Sequence, residues 1–99
     1  MRLSNDNRQI IRDTVREIFG AEANVRLFGS RMDDNKRGGD IDLLVELPVA
    51  IADVERKTLQ LIARLQLRLG DQPIDVLVCD PSTPLHGIYE QALREGVRV

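Results

Sequence analysis

Apolar residues recur at helical spacing in the first part of the chain. Ile11, Val15 and Ile18 follow one another at intervals of four and three residues, which places them on one face of a helix. Asp6 is a suitable N-cap residue ahead of them, and Gly20 ends the pattern. A first helix is therefore predicted between Asp6 and Gly20, with its apolar face on a sheet and its charged residues toward solvent.

A second and longer helical pattern begins at Asp53, a plausible N-cap, and ends at Gly70. Its apolar positions are Val54, Leu61, Ile62, Leu65 and Leu69, and the band is widened by Leu59 and Leu67. An apolar band broader than one sheet face requires leaves surface for another chain. The second helix is therefore a predicted partner interface.

Short apolar segments predict the strands. Val25–Phe28, the segment from Asp40 to Val45, and Ile74–Val78 each combine β-branched and aliphatic residues in runs of strand length. After a proline-containing turn, a last short helix is predicted to end at Gly96, followed by a possible edge strand over Val97–Val99. Strands that alternate with helices in this way indicate an α/β protein.

Length and composition indicate a single domain over residues 1–99 with an aliphatic core, because 42% of the residues are hydrophobic and only one Tyr and two Phe are aromatic. The 14 basic and 16 acidic residues form no basic stripe, so direct binding of nucleic acid is not predicted. Cys79 is the sole cysteine, which excludes an internal disulfide. No stretch resembles a signal peptide or membrane span, and a cytoplasmic protein is expected.

The candidate chemistry centres on Asp40 and Asp42. Side chains two residues apart on a strand point to the same face, so these carboxylates project together while Ile41, Leu43 and Val45 face the other way. Like charges beside apolar sequence repel each other unless a cation lies between them, and a hard divalent ion such as Mg²⁺ suits carboxylate oxygens. The pair therefore predicts a metal site.

Gly29 and Ser30 follow the first strand directly. Glycine lets the backbone approach a ligand closely, and a helix beginning at Ser30 would offer free N–H groups to an anion such as phosphate. Arg31 comes next and could reach a triphosphate, or it could form a surface ion pair with Asp33 or Asp34. A phosphate cradle beside a metal site has the parts for transfer of a phosphorus-centred group.

The motif that joins these features resembles a family signature. Gly29-Ser30, nine residues, and then Asp40-Ile41-Asp42-Leu43-Leu44-Val45 is similar to the signature of the DNA polymerase beta nucleotidyltransferase superfamily. Nearly the whole chain resembles its minimal nucleotidyltransferase (MNT) domains, which are often paired with a HEPN-domain protein in toxin–antitoxin modules. The chain departs from many relatives in carrying Gly38-Gly39, rather than a small polar residue, before the first aspartate.

The resemblance implies a small mixed sheet with helices packed mainly on one face. It implies that Asp40, Asp42 and an acidic residue on the third strand hold two Mg²⁺ ions, with ATP as substrate. Asp75 is a lone carboxylate among aliphatic residues and fills that third position if its strand lies beside the one that carries Asp42. The implied acceptor is a hydroxyl, such as that of tyrosine, on a HEPN ribonuclease toxin, with this chain as its antitoxin.

Several alternatives stay open at this point. The chain is a non-catalytic antitoxin or binding module that covers its partner, or it is a small-molecule nucleotidyltransferase of the aminoglycoside-modifying type. Both homo-oligomers and hetero-oligomers are compatible with the sequence. Lys36 and Arg37 either attract nucleotide or acceptor, or are ordinary solvated charges. A nucleophilic role for Cys79 would need a base such as His86, which nothing in the sequence orients toward it.

Overall fold

The computed structural model describes residues 3–29, 41–84 and 86–99. In chain order the elements are α1 (Asn5–Phe19), β1 (Asn24–Phe28), β2 (Ile41–Glu46), α2 (Val54–Leu69), β3 (Ile74–Cys79), α3 (Ile88–Glu95) and β4 (Val97–Arg98). The helices and strands predicted within these ranges are present, with ends shifted by one or two residues, whereas the helix predicted to begin at Ser30 lies outside the described residues. Ser30, Arg31, Lys36, Arg37 and Asp40 lie outside the described residues, and so do the structural predictions that concern them.

The four strands form one mixed sheet in the order β3-β2-β1-β4. β1 runs antiparallel to both β2 and β4, whereas β2 and β3 are parallel and are connected through α2. Two consecutive parallel strands need a crossover connection of this kind, because the chain must return to the end of the sheet at which the first strand began. The predicted α/β fold is confirmed.

The two faces of the sheet bury different sets of residues. On one face, Ile41, Leu43 and Val45 of β2 are fully buried in the main core, as their alternation predicted. α1 and α2 cover this face and contribute Ile11, Val15, Leu61 and Leu65. The opposite face carries a smaller cluster in which Phe28, Leu44 and Cys79 pack on α3. The helices therefore lie mainly on one face, as predicted.

The helix starts differ in detail from the prediction. Ser4, not Asp6, is the N-cap of α1, because Ser4 has an extended backbone and its hydroxyl accepts a hydrogen bond from the Asn7 N–H at 3.1 Å. Asp6 lies inside the first turn. Asp53 occupies the N-cap position of α2, but its carboxylate accepts from Arg56 at 2.9 Å instead of from a helix amide. No helix in the described ranges is long and apolar enough to cross a membrane.

Two arginines of α1 contact the end of the chain rather than only solvent, which corrects the prediction of a purely solvated face. Arg8 donates to the Arg98 carbonyl at 3.1 Å, and Arg12 donates to the Val99 carbonyl at 2.8 Å. Because β4 is only two residues long, these bonds supplement its short ladder with β1. They hold the last strand against the first helix.

The apolar band predicted on α2 divides in the folded chain. Leu61 and Leu65 are fully buried in the core, whereas Leu59 is 68% exposed and Leu67 is 86% exposed. Eight residues along a helix amount to two full turns plus about 80°, so Leu59 and Leu67 are about 12 Å apart along the axis and point in different directions. The leucines left for a partner are therefore separate positions rather than one continuous stripe.

This division predicts a large difference between two leucines of the same helix. Leu65→Ala should lower the free energy of unfolding by about 2–5 kcal/mol, because it opens a cavity in a closed core. Leu67→Ala should change it by less than about 0.5 kcal/mol, since its side chain has little to lose on truncation. Thermal unfolding followed by circular dichroism measures both. Equal losses in the two variants would contradict the packing of α2 described here.

Candidate functional site

Asp42 and Asp75 lie side by side on the sheet. β2 and β3 are neighbours, and their parallel register places Asp42 opposite Asp75. The sequence assigned Asp75 to the site only if its strand lay beside the strand of Asp42. The structure meets this condition. Both residues alternate with core residues of the α1 and α2 face, so their side chains project from the opposite face. Adjacent strands are about 4.8 Å apart, which brings the carboxylates within reach of one ion.

The two carboxylates differ in their surroundings. Asp42 is half-buried on the central strand β2, whereas Asp75 is exposed on β3 at the edge of the sheet. Asp42 also takes part in a further interaction within the protein. The site therefore pairs a half-buried carboxylate with a solvent-accessible one.

Gly29 makes room for the Asp42 side chain. β1 ends at Phe28, which is the register partner of Asp42, and Gly29 follows with a φ of +80°. A Cβ atom at position 29 would lie 2.1 Å from Asp42 Oδ2 and 2.9 Å from its Cγ. Only glycine fits this backbone conformation and this contact together. The sequence predicted close approach of the backbone to a ligand at Gly29, and the structure shows close approach of a carboxylate.

An open cleft of about 510 Å³ contains both carboxylates. Its lining residues are Phe28, Gly29, Asp42, Ile62, Asp75, Val76, Leu77, Ile88 and Gln91. The lining thus combines two carboxylates with mainly apolar side chains, which is the usual composition of a small-molecule site. Ile88 and Gln91 are additions that sequence reasoning missed, because their position depends on how α3 packs across the sheet.

The donor set suits a hard divalent cation. Asp42 and Asp75 offer only carboxylate oxygens, the ligands that Mg²⁺ prefers. Within residues 3–29, 41–84 and 86–99, no group of three His, Cys, Asp or Glu side chains comes together. The third ligand predicted from the sequence, Asp40, lies outside those ranges, as do the predicted phosphate contacts of Ser30 and Arg31. The residues present fit a Mg²⁺ site to which Asp42 and Asp75 contribute.

Cys79 belongs to the packing of the sheet and is absent from the cleft lining. It is buried with Phe28, Leu44 and Ala92 at the opposite end of β3 from Asp75. Burial raises the pKa of its thiol, and the charges of Glu46 and Asp80 raise that pKa further. A thiol that resists ionisation is a weak nucleophile. The structure thus favours a packing role for this cysteine.

Paired carboxylates that can hold Mg²⁺, in a cleft beside a strand-end glycine, fit the positioning and charge neutralisation that phosphoryl transfer requires. The family model described as Nucleotidyltransferase domain matches residues 8–99 of this chain. The chain therefore belongs to the nucleotidyltransferase domain family, within the DNA polymerase beta superfamily. Members of this family typically use Mg²⁺ and a nucleoside triphosphate. A search of curated proteins finds no match.

The contact between Gly29 and Asp42 leads to a prediction with a matched control. Gly29→Ala should displace the Asp42 carboxylate and weaken Mg²⁺ binding, measured by isothermal titration calorimetry, by tenfold or more. Gly70→Ala places the same side chain at a similar φ of +97° where nothing lies within 4 Å, so it bears the backbone strain alone. A positive φ is unfavourable for alanine at both positions and costs roughly 1–3 kcal/mol of stability. Unchanged Mg²⁺ affinity in a folded Gly29→Ala protein would contradict the proposed role of this contact.

Proposed function

We propose that this protein is a Mg²⁺-dependent nucleotidyltransferase that moves AMP from ATP to a hydroxyl group of a protein, and that it acts as the antitoxin of a HEPN ribonuclease toxin. The observation that carries the catalytic part is the register of Asp42 with Asp75 on adjacent strands, at one cleft and against Gly29. Membership of the nucleotidyltransferase family supports the reaction class.

In the proposed reaction, the acceptor oxygen bonds to the α-phosphorus of ATP as the bond from that phosphorus to the bridging oxygen breaks. Pyrophosphate leaves with the electron pair of the broken bond. Asp42 and Asp75, together with Asp40, hold Mg²⁺, which when bound offsets the negative charge of the phosphates. Asp75 also takes up the proton of the acceptor hydroxyl, a role supported by its exposure at the edge of the sheet. Gly29 and Ser30 contact the departing phosphates.

The proposal of a protein acceptor rests on the openness of the cleft and on the resemblance to MNT domains. The described residues form one sheet with three helices, and none of them forms a second lobe above Asp42 and Asp75. As far as residues 3–29, 41–84 and 86–99 define it, the face of the cleft that carries the carboxylates is open to a large acceptor. A tyrosine hydroxyl on a HEPN-domain partner fits this requirement, and its modification would inactivate the partner.

Nucleotide binding can be tested on the isolated protein. ATP with Mg²⁺ should raise its melting temperature, because a ligand that binds only the folded state adds about 2.7 kcal/mol of stability at a hundred times its Kd. Asp42→Asn should remove this gain. Asp71→Asn serves as the control, since Asp71 is exposed in the turn after α2 and does not line the cleft. A full response of Asp42→Asn to Mg²⁺ and ATP would show that the carboxylate site is elsewhere.

Transfer is tested with the HEPN-type protein encoded beside this chain, if the gene has such a neighbour. Incubation with ATP and Mg²⁺ should leave an AMP adduct on that protein, mapped by mass spectrometry to a hydroxyl side chain. Loss of a charge-stabilising group typically costs about 10²–10³-fold in rate, so Asp40→Asn and Asp42→Asn should slow labelling by at least that factor while the complex still forms. If both variants neutralise the partner as well as wild type and no nucleotide is transferred, the protein is a binding module.

A further inference from the structure

β3 is an open edge of the sheet. The carbonyls of Pro73 and Cys79 both accept hydrogen bonds from the β2 side, from the Ile41 and Leu47 N–H groups. The backbone N–H and C=O groups of successive residues on a strand point alternately to its two sides. In β3, the groups of the even-numbered residues therefore point away from β2. These residues are Ile74, Val76 and Val78. No strand among the described residues pairs with this side of β3.

This edge carries little of the protection that usually prevents strand pairing. β3 reads Ile-Asp-Val-Leu-Val-Cys, with Asp75 as its one charged residue and with no lysine or proline inside the strand. The opposite edge is different, since β4 has only two residues. Beside β3 runs an apolar groove of about 420 Å³, whose walls include the exposed Leu59 of α2 and Tyr89 of α3. Open backbone groups together with an apolar groove select an extended apolar strand as the occupant.

We propose that the occupant is β3 of a second copy of this chain, paired antiparallel about a two-fold axis at Val76. In this register Val76 faces Val76 of the second copy and Ile74 faces Val78, so each outward N–H and C=O finds a partner. Asp75 faces Leu77 rather than another Asp75, which avoids direct opposition of like charges. The strand therefore supplies an aliphatic partner for its own edge, with no like charge directly opposite Asp75.

The two-fold axis stands perpendicular to the combined sheet, so both copies place α2 on the same side. Leu59 of each copy then lies beside the interface between the two β3 strands, because it lines the groove next to Val76–Val78. Leu67 is exposed two helical turns from Leu59 and does not line this groove. Asp75, Val76 and Leu77 line the candidate active-site cleft, so the second copy also forms the outer wall of that cleft.

The test compares two exposed leucines of one helix. In sedimentation equilibrium across a concentration series, wild type should reach a dimer, Leu59→Lys should weaken its association by tenfold or more, and Leu67→Lys should leave it unchanged. Hydrogen exchange of the intact protein should show the Val76 and Val78 amides slowing as the dimer forms. Circular dichroism confirms that both variants are folded, and Asp42→Asn should dimerise normally because the pairing does not depend on catalysis.

Three outcomes would overturn the proposal. A wild-type chain that stays monomeric at several hundred micromolar has no self-pairing edge, even if those amides become protected when a different protein is added. Equal weakening by Leu59→Lys and Leu67→Lys would show that association is a general effect of surface charge. A dimer whose Val76 and Val78 amides exchange as fast as in the monomer would be assembled through another surface.

Discussion

The parallel pairing of β2 with β3 determines where the carboxylates of this protein lie. Ile41, Leu43 and Val45 are fully buried beneath α1 and α2, so β2 cannot shift by one residue without exposing them. The register that satisfies this core also places Asp42 opposite Asp75 on the other face. Two like charges repel each other, so their interaction does not favour this arrangement. The packing of the core on one face of the sheet therefore brings the two carboxylates together on the other face.

Stability and chemistry are consequently separated across the sheet. The face under α1 and α2 contains the larger core. Arg68 joins these two helices by donating to the buried Thr14 hydroxyl at 2.7 Å and by forming an ion pair with Glu17 at 2.9 Å. The other face has a smaller cluster under the short α3 and leaves the cleft open at the end near Gly29. A site can hold repelling carboxylates when the residues that fold the protein lie elsewhere.

Much of this architecture follows from periodicity in the sequence. Alternation along β2 assigned its faces correctly, and helical spacing located α1 and α2. Ser4 and Asp6 are both good capping residues, so the sequence does not decide between them. The backbone angles show that the N-cap is Ser4, whereas the sequence analysis favoured Asp6. The partial exposure of the α2 leucines could not be read from their spacing, because it depends on how far the sheet extends beneath the helix.

The candidate site was predictable to the extent that it is local. Gly29 and Asp42 are joined by a motif, whereas Asp75 enters only through strand order, which the sequence leaves undetermined. Ile88 and Gln91 approach the cleft through tertiary packing of α3 and have no local signal. Residues of one segment can be recognised from a motif. For residues that meet across the sheet, the sequence supports at most a conditional prediction, as it did for Asp75.

The unequal surroundings of the two carboxylates bear on the proposed reaction. Asp42 is confined on a central strand, and its Oδ2 lies in space that any side chain at position 29 would occupy. Such confinement suits a ligand that must hold its position while bonds change. Asp75 stands on the edge strand with its side chain exposed, where an incoming acceptor can reach it. In the proposed reaction, the nucleotide would therefore lie on the β1 side of the site, and the acceptor would approach Asp75 from the face of the sheet that carries both carboxylates.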